Sequence, residues 1–351
     1  MTLEDLLIKT VENEASDLHV TVGTPPRIRK SGSLLELGEE KLSADKVKEL
    51  IESKMNKNQI DDFNNGNEID YSIGIPGISR FRVNVYSQRG NICAAYRRLP
   101  LEPPAIDSLG LPESVVNLIE QKKGLILITG ATGSGKSTTM AALVNQLTKE
   151  LPGHILTIED PIEYLYPHSK AQVNQREVGV DTKSFESGLK SALRQDPDVV
   201  SIGELRDPES MATALTIAET GHLVLATLHT NNASGTITRL VDAFPPEKQE
   251  MIRMNLSMSL LAVVSQQLIP NIENSRSLAI EVLINTPSIK AVIRENNIHQ
   301  IDNYLLSGAK DGMIRMDDSI LALFNENLIT KEDALSYAHN PSELSKKLTD
   351  F

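Results

Sequence analysis

Hydrophobic residues follow two rhythms along this chain, and the change between them divides it. From Thr2 to Asn13, apolar Leu3, Leu6, Leu7 and Val11 recur at helical spacing, with Thr2 placed as the N-cap. Alternation then takes over. Leu18, Val20 and Val22 predict a strand, Gly23-Thr24-Pro25-Pro26 breaks it, and Arg27-Ile28-Arg29 resumes in extended form. A helix over 43–55, capped by Ser43, precedes three predicted strands, 69–75, 79–87 and 92–99. In the middle strand Phe81, Val83 and Val85 share one face, and Arg80, Arg82, Asn84 and Tyr86 the other. Gln88-Arg89-Gly90-Asn91 reads as a hairpin turn. These elements predict an α+β domain over 1–98.

Past residue 113 the rhythm becomes short apolar runs separated by helical stretches. A helix over 113–121 leads to the apolar strand GLILIT. There follow a helix at 137–149, a strand at 154–158, an excursion rich in extended residues at 170–180, a helix at 184–194 and a strand at 199–202. Next come a helix at 208–218, a strand at 223–228, helices at 233–243 and 246–267, and a strand at 278–283. Alternating strand and helix units predict an α/β domain over 113–351, with a parallel sheet covered on both faces and active groups at the carboxyl ends of its strands. From residue 296 onward helical spacing dominates (Ile314, Ile320, Leu321, Leu323, Phe324), which predicts a helical C-terminal part. Between the domains, LPLEPPAIDSLGLP at 99–112 carries four prolines and a glycine, a semi-stiff linker or hinge.

Composition narrows the class. The chain has 351 residues, 40 % of them hydrophobic, enough for cores without covalent staples. Cys93 is its single cysteine, so neither a disulfide framework nor a four-cysteine zinc site can form within it. Acidic residues outnumber lysine and arginine 47 to 35, which argues against non-specific nucleic-acid binding. No run of 18 apolar residues occurs and the N-terminus has no secretory core, so the expected location is cytoplasmic.

The chemistry concentrates after GLILIT. Gly130, Ala131, Thr132, Gly133, Ser134, Gly135, Lys136, Ser137 and Thr138 satisfy G-x-x-x-x-G-K-[ST]. The glycines let backbone N–H groups approach a polyphosphate, the helix N-terminus adds partial positive charge, Lys136 reaches the β/γ-phosphates, and the Ser137 hydroxyl binds Mg²⁺. Three later strand ends face the same edge. Glu159, Asp160 and Glu163 follow the strand at 154–158 and suit a magnesium ion, with a helix-capping turn as the plainer reading. Gly203-Glu204 ends the strand at 199–202. A glycine stands where such strands often carry a first acid, and Glu204 remains to orient or deprotonate a water. Arg206 and Asp207 are expected to pair on the surface. His222 and His229 lie seven apart on one strand, a poor metal pair; His229, at the carboxyl end, reads either as a γ-phosphate contact or as structural. In the first domain Arg80, Arg82, Arg89, Arg97 and Arg98 crowd one hairpin, either as a solvated face or with some aimed at an anion.

Together these segments resemble the secretion-superfamily hexameric ATPases, and within them the type IV pilus retraction ATPases. GATGSGKST matches the phosphate loop of that family, TIEDPIEY its acidic box, SIGELRD its atypical second acidic motif and HLVLATLHTNNA its histidine box. ASDLHVTVGTPPRIR resembles its PAS-like N-terminal domain and RFRVNVYSQRGNICAAYRRLP its arginine-bearing strands. SIKAVIREN resembles a C-terminal signature, with Lys290-Ala291-Val292 where Arg-Asn-Leu would stand. The resemblance spans nearly the whole chain. It implies a PAS-like domain followed by a RecA-like motor, ATP with Mg²⁺ as cofactors, and a homohexamer peripheral to the membrane. It also implies Glu204, Glu163, His229, Arg82 and Arg97 in catalysis, and Ser137, Glu159 and Asp160 toward the metal. The implied partner is an inner-membrane pilus platform protein of the PilC type, met at the cytoplasmic face, with no nucleic acid. The start at the PAS-like segment and the lone cysteine favour retraction over assembly. An accessory retraction ATPase and a short pilus-assembly or type II secretion ATPase are the alternative members.

Overall fold

The computed structural model describes residues 1–348; residues 349–351, at the end of the expected second domain, lie outside the described residues. The chain forms two compact units that divide between Pro103 and Pro104, within the proline-rich stretch. One unit is Met1–Pro103 with Asp160–Leu165, and the other holds Pro104–Glu159 and the chain from Tyr166 onward. The grouping of Asp160–Leu165 with the first unit has no counterpart in the sequence pattern.

The first unit contains α1 (Leu3–Glu12), β1 (Asp17–Val20), β2 (Arg27–Lys30), β3 (Ser33–Glu36), α2 (Ala44–Glu52), α3 (Lys57–Asn64), β4 (Ile69–Ile75), β5 (Ser79–Gln88) and β6 (Asn91–Leu99). Its strands form one antiparallel sheet in the order β3-β2-β1-β6-β5-β4. Thr2 caps α1 in a reciprocal pair with Asp5, its hydroxyl accepting the Asp5 N–H at 3.2 Å. Leu3, Leu6 and Leu7 of α1, and Val47, Leu50 and Ile51 of α2, pack with Phe81, Val83, Val85 and Tyr96 into one core. Arg89 and Gly90 both take positive φ, 51° and 76°, the pair of angles that closes a two-residue hairpin matched to strand twist. Two elements are silent in the hydrophobic pattern. Every residue of β3 is exposed, and α3 buries only Gln59, so neither carries an apolar stripe.

The second unit contains α4 (Glu113–Val116), β7 (Gly124–Thr129), α5 (Lys136–Glu150), β8 (His154–Glu159), β9 (Gln172–Glu177), α6 (Phe185–Ala192), β10 (Val199–Ile202), α7 (Pro208–Glu219) and β11 (Leu223–Leu228). It continues with α8 (Ala233–Asp242), α9 (Pro246–Ser259), β12 (Leu260–Pro270), β13 (Arg276–Ile284), α10 (Pro287–Arg294), α11 (Ile301–Ser307), α12 (Met316–Asn325), α13 (Lys331–Tyr337) and α14 (Pro341–Lys347). Its sheet runs β13-β12-β7-β11-β10-β8-β9. Strands β7 to β12 pair in parallel, and β13 joins β12 antiparallel. A core lies on each face, one built around Leu215, Ile237 and Leu256, the other around Leu143, Val144 and Val264.

One predicted helix is wrong over about the last third of its length. The helix expected at 246–267 stops at Ser259, and Leu260–Pro270 is β12, placed beside β7 in the sheet. Leu260, Ala262, Val263 and Val264 are all buried. A continuous apolar run has no period of its own, so it extends a helical pattern as readily as it forms a central strand. The C-terminal helices pack through Met316, Ile320, Ala334 and Leu344 onto Ile269 and Ala279 of β12 and β13.

Candidate nucleotide site

Strands β7, β11, β10 and β8 are consecutive neighbours and parallel, so the loops leaving their carboxyl ends lie side by side. The phosphate loop leaves β7, His229 follows β11, Glu204 follows β10 and Glu159 ends β8. The loop's shape depends on glycine at two points. Gly130 has φ 146°, and a Cβ there would collide with the Gln266 carbonyl oxygen and Ser134 Oγ. Gly135, at φ 91°, is the N-cap of α5 and offers no side-chain cap, at a helix start whose backbone amides suit an anion.

Lys136 is the first residue of α5 and is buried. Its ammonium donates to the carbonyls of Gly130 at 2.7 Å and Ala131 at 2.9 Å, and lies 3.4 Å from His229 Nδ1. On the other side of the ring, His229 Nε2 is 3.3 Å from Glu204 Oε1, and Glu204 Oε2 accepts from Arg206 Nε at 2.8 Å. The structure therefore brings Lys136, His229 and Glu204 into one chain of polar contacts across three strand ends. A neutral imidazole with its proton on Nε2 satisfies both neighbours, accepting from the ammonium and donating to the carboxylate.

The backbone under Glu204 is clamped. Gly203 N–H donates to the Ile158 carbonyl at 2.8 Å, Leu205 N–H to the Thr227 carbonyl at 3.0 Å, and the Thr227 hydroxyl to the Gly203 carbonyl. A side chain at 203 would stand 3.4 Å from the backbone of Ile158 and Glu159. Arg206 and Asp207 do not pair with each other as expected. Arg206 holds Glu204, and Asp207 caps α7, accepting the Ser210 N–H at 2.7 Å.

The remaining predicted residues are placed as follows. Ser137 lies on the exposed first turn of α5 with Thr138 beside it, and Thr132 and Gly133 are exposed at the loop tip. Glu159 Oε1 accepts from Thr157 Oγ1 at 2.6 Å and Gln175 Nε2 at 3.0 Å. Asp160 and Glu163 fall in the segment grouped with the first unit. Among the described residues no three His, Cys, Asp or Glu side chains converge into a metal site. His222 is tied to its own turn, Nδ1 3.0 Å from the Ile217 carbonyl. Arg82 and Arg97 stand opposite each other in the β5–β6 register. Arg82 Nε is 3.7 Å from Asp70, and Arg97 Nε donates to Asp17 at 3.0 Å. Burial would raise the Asp17 carboxyl, but the Ser16 hydroxyl and the Arg97 guanidinium outweigh it and hold it below its ordinary value.

Gln266 escaped the sequence reading because the segment around it read as helix. On β12 its side-chain amide donates to Thr139 Oγ1 at 2.8 Å, while its backbone carbonyl abuts Gly130. Next to it, the Thr129 hydroxyl donates to Ser265 Oγ at 2.9 Å. Recognising β12 as the strand beside β7 would have exposed both contacts.

The family model described as Type II/IV secretion system protein matches residues 2–309. This chain belongs to that family. Over 341 residues it is 43 % identical to the type IV pilus retraction ATPase PilT of Pseudomonas aeruginosa, covering 97 % of this chain and 99 % of that one. It is 41 % identical over 345 residues to the type IV pilus ATPase PilU of the same organism, covering 98 % and 90 %. The crystal structure of the pilus retraction motor PilT with bound ADP superposes at a TM-score of 0.92 and 43 % identity, covering 99 % of both chains. Family, fold and loop geometry together make the chain a P-loop ATPase of the secretion type. Its fold class is α/β, with an α+β unit preceding the nucleotide-binding unit.

Proposed function

We propose that this chain is an ATP-hydrolysing motor that powers type IV pilus retraction. The observation that carries the reading is the Lys136–His229–Glu204 chain at the mouth of the phosphate loop. Its three members come from three separate strand ends. The amides at the start of α5 bind the polyphosphate, and Lys136 exchanges the Gly130 and Ala131 carbonyls for β/γ-phosphate oxygens. Glu204 takes the proton of the attacking water, and His229, in contact with both groups, links the state of Lys136 to that carboxylate. The donor types suit magnesium: a serine hydroxyl at the helix start and the carboxylate of Glu159 at the end of β8, which has two strands between it and β7 in the sheet. Bound there, magnesium neutralises β/γ-oxygen charge. Arg82 and Arg97 serve as arginine fingers, each leaving its own carboxylate partner to reach an anion, and Glu163 and Asp160 support the water and metal network.

The same reading makes the active form a homohexamer at the cytoplasmic face of the inner membrane, acting on a pilus platform protein. The relatives' names support the pilus assignment; the hexamer, the membrane face and the platform protein rest on the resemblance of the motifs. Among the described residues no helix is long and apolar enough to cross a membrane. The similarity to PilU over nearly the full chain favours a second reading, an accessory retraction ATPase.

Steady-state ATP turnover of Glu204→Gln against wild type tests the assignment. Turnover falls at least about 100-fold while ATP is still bound, because the amide cannot accept the proton. Undiminished turnover would remove Glu204 from the chemistry.

A further inference from the structure

Glu281 is a buried carboxylate on β13 that the reaction described above does not use. Its side chain is 6 % exposed. Oε1 accepts the N–H of Ala233, the first residue of α8, at 2.8 Å. Oε2 lies 3.7 Å from His339 Nδ1. One carboxylate thus joins the N-terminus of α8, in the nucleotide-binding core, to His339, in the C-terminal part. The α8 N-terminus presents partial positive charge, which favours an anion beside it. Burial pushes the Glu281 carboxyl up and Asp302 adds to that, while the Ala233 and Met316 amides and His339 pull it back.

Each end of this link is fixed in turn. His339 and Asn340 donate their backbone N–H groups to Asp317, at 2.7 and 2.9 Å, and Asp317 is itself buried at the start of α12. On the other side, Ala233 is only four residues beyond His229. The stretch between is short and well bonded: Asn232 caps α8 through the Gly235 N–H at 2.8 Å, and the Thr230 and Thr236 hydroxyls lie 2.6 Å apart. A short, bonded stretch thus joins the first turn of α8 to His229.

We propose that Glu281 is a positioning residue that ties the C-terminal helices to His229 and holds its ring between Lys136 and Glu204. The proposal rests on the reading of His229 as part of the hydrolytic site. A double-mutant cycle on the full-length chain tests it, with ATP turnover and KM measured for Glu281→Gln, His229→Ala and the double variant. Glu281→Gln alone lowers kcat about tenfold with KM within about threefold, since the phosphate loop is untouched. In the His229→Ala background it lowers kcat by less than about threefold, because its effect passes through the missing ring. A merely structural role would give the same tenfold loss in both backgrounds and would overturn the proposal, as would wild-type turnover in Glu281→Gln. Wild-type turnover in His229→Ala would overturn the reading of His229 beneath it. If Glu281→Gln does not fold, His339→Ala, whose side chain is about one-third exposed, carries the cycle. It lowers kcat about threefold alone and not at all beside His229→Ala. Equal losses in both backgrounds, or none, overturn the coupling.

Discussion

Replacing Gly130 by alanine isolates what the phosphate loop costs to build. The added Cβ would overlap the Gln266 carbonyl oxygen and Ser134 Oγ, and the site's φ of 146° is one that L side chains rarely adopt. Backbone strain of this kind costs about 1–3 kcal/mol, and overpacking a close-packed site another 1–3 kcal/mol or so. The sum is on the order of 2–6 kcal/mol against a native stability of about 5–15 kcal/mol. Gly133→Ala is the control. Its φ is 81°, but nothing lies within 4 Å of a Cβ there, so only strain of about 1–2 kcal/mol remains. In a unit of more than 200 residues, 1 kcal/mol moves the midpoint by about 2–4 °C. Thermal unfolding without nucleotide should show Gly133→Ala lower by about 2–8 °C and Gly130→Ala by about 5–20 °C. Titration with a fluorescent ATP analogue should show nucleotide binding lost in Gly130→Ala. Equal midpoints for the two variants would refute the claim that the Gln266 and Ser134 contacts shape the loop.

Two further expectations concern groups around the site. Thr227→Val removes the hydroxyl that donates to the Gly203 carbonyl and loosens the turn beneath Glu204; turnover should fall about tenfold or more while nucleotide affinity, measured by titration, stays within about threefold. Asp17 has a folded-state pKa held below its unfolded value, so its contribution to stability is present above about pH 4 and is lost as pH falls through the lower folded value. The stability gap between wild type and Asp17→Asn, followed by urea unfolding, should therefore be full at pH 7 and shrink steadily below pH 4; a gap that widens on acidification would contradict the Arg97 pairing.

How much of this was legible in the sequence depended on whether function and local physics wrote the same pattern. Lys136, Glu204 and His229 were readable because fixed spacing and strand ends place them irrespective of distant contacts. The β5–β6 hairpin was readable because Phe81, Val83 and Val85 alternate and Arg89-Gly90 closes the turn. β12 was not, because Leu260 to Val264 is a run without period, and Gln266 was hidden with it. α3 left no signal because it buries so little. Asp207 was misassigned because a cap and a surface ion pair use the same residue type; only the Ser210 N–H decides between them. Glu281 reads in sequence as one polar residue in an apolar strand, and its role depends on Ala233 and His339, which spacing cannot bring together.

The most direct test of the retraction motor is a count of surface pili in cells lacking this gene, complemented with wild type or with Glu204→Gln. The account predicts excess pili that no longer retract, corrected by wild type and not by Glu204→Gln. Bald cells would make the chain an assembly motor, and unchanged pili would contradict a direct role in retraction.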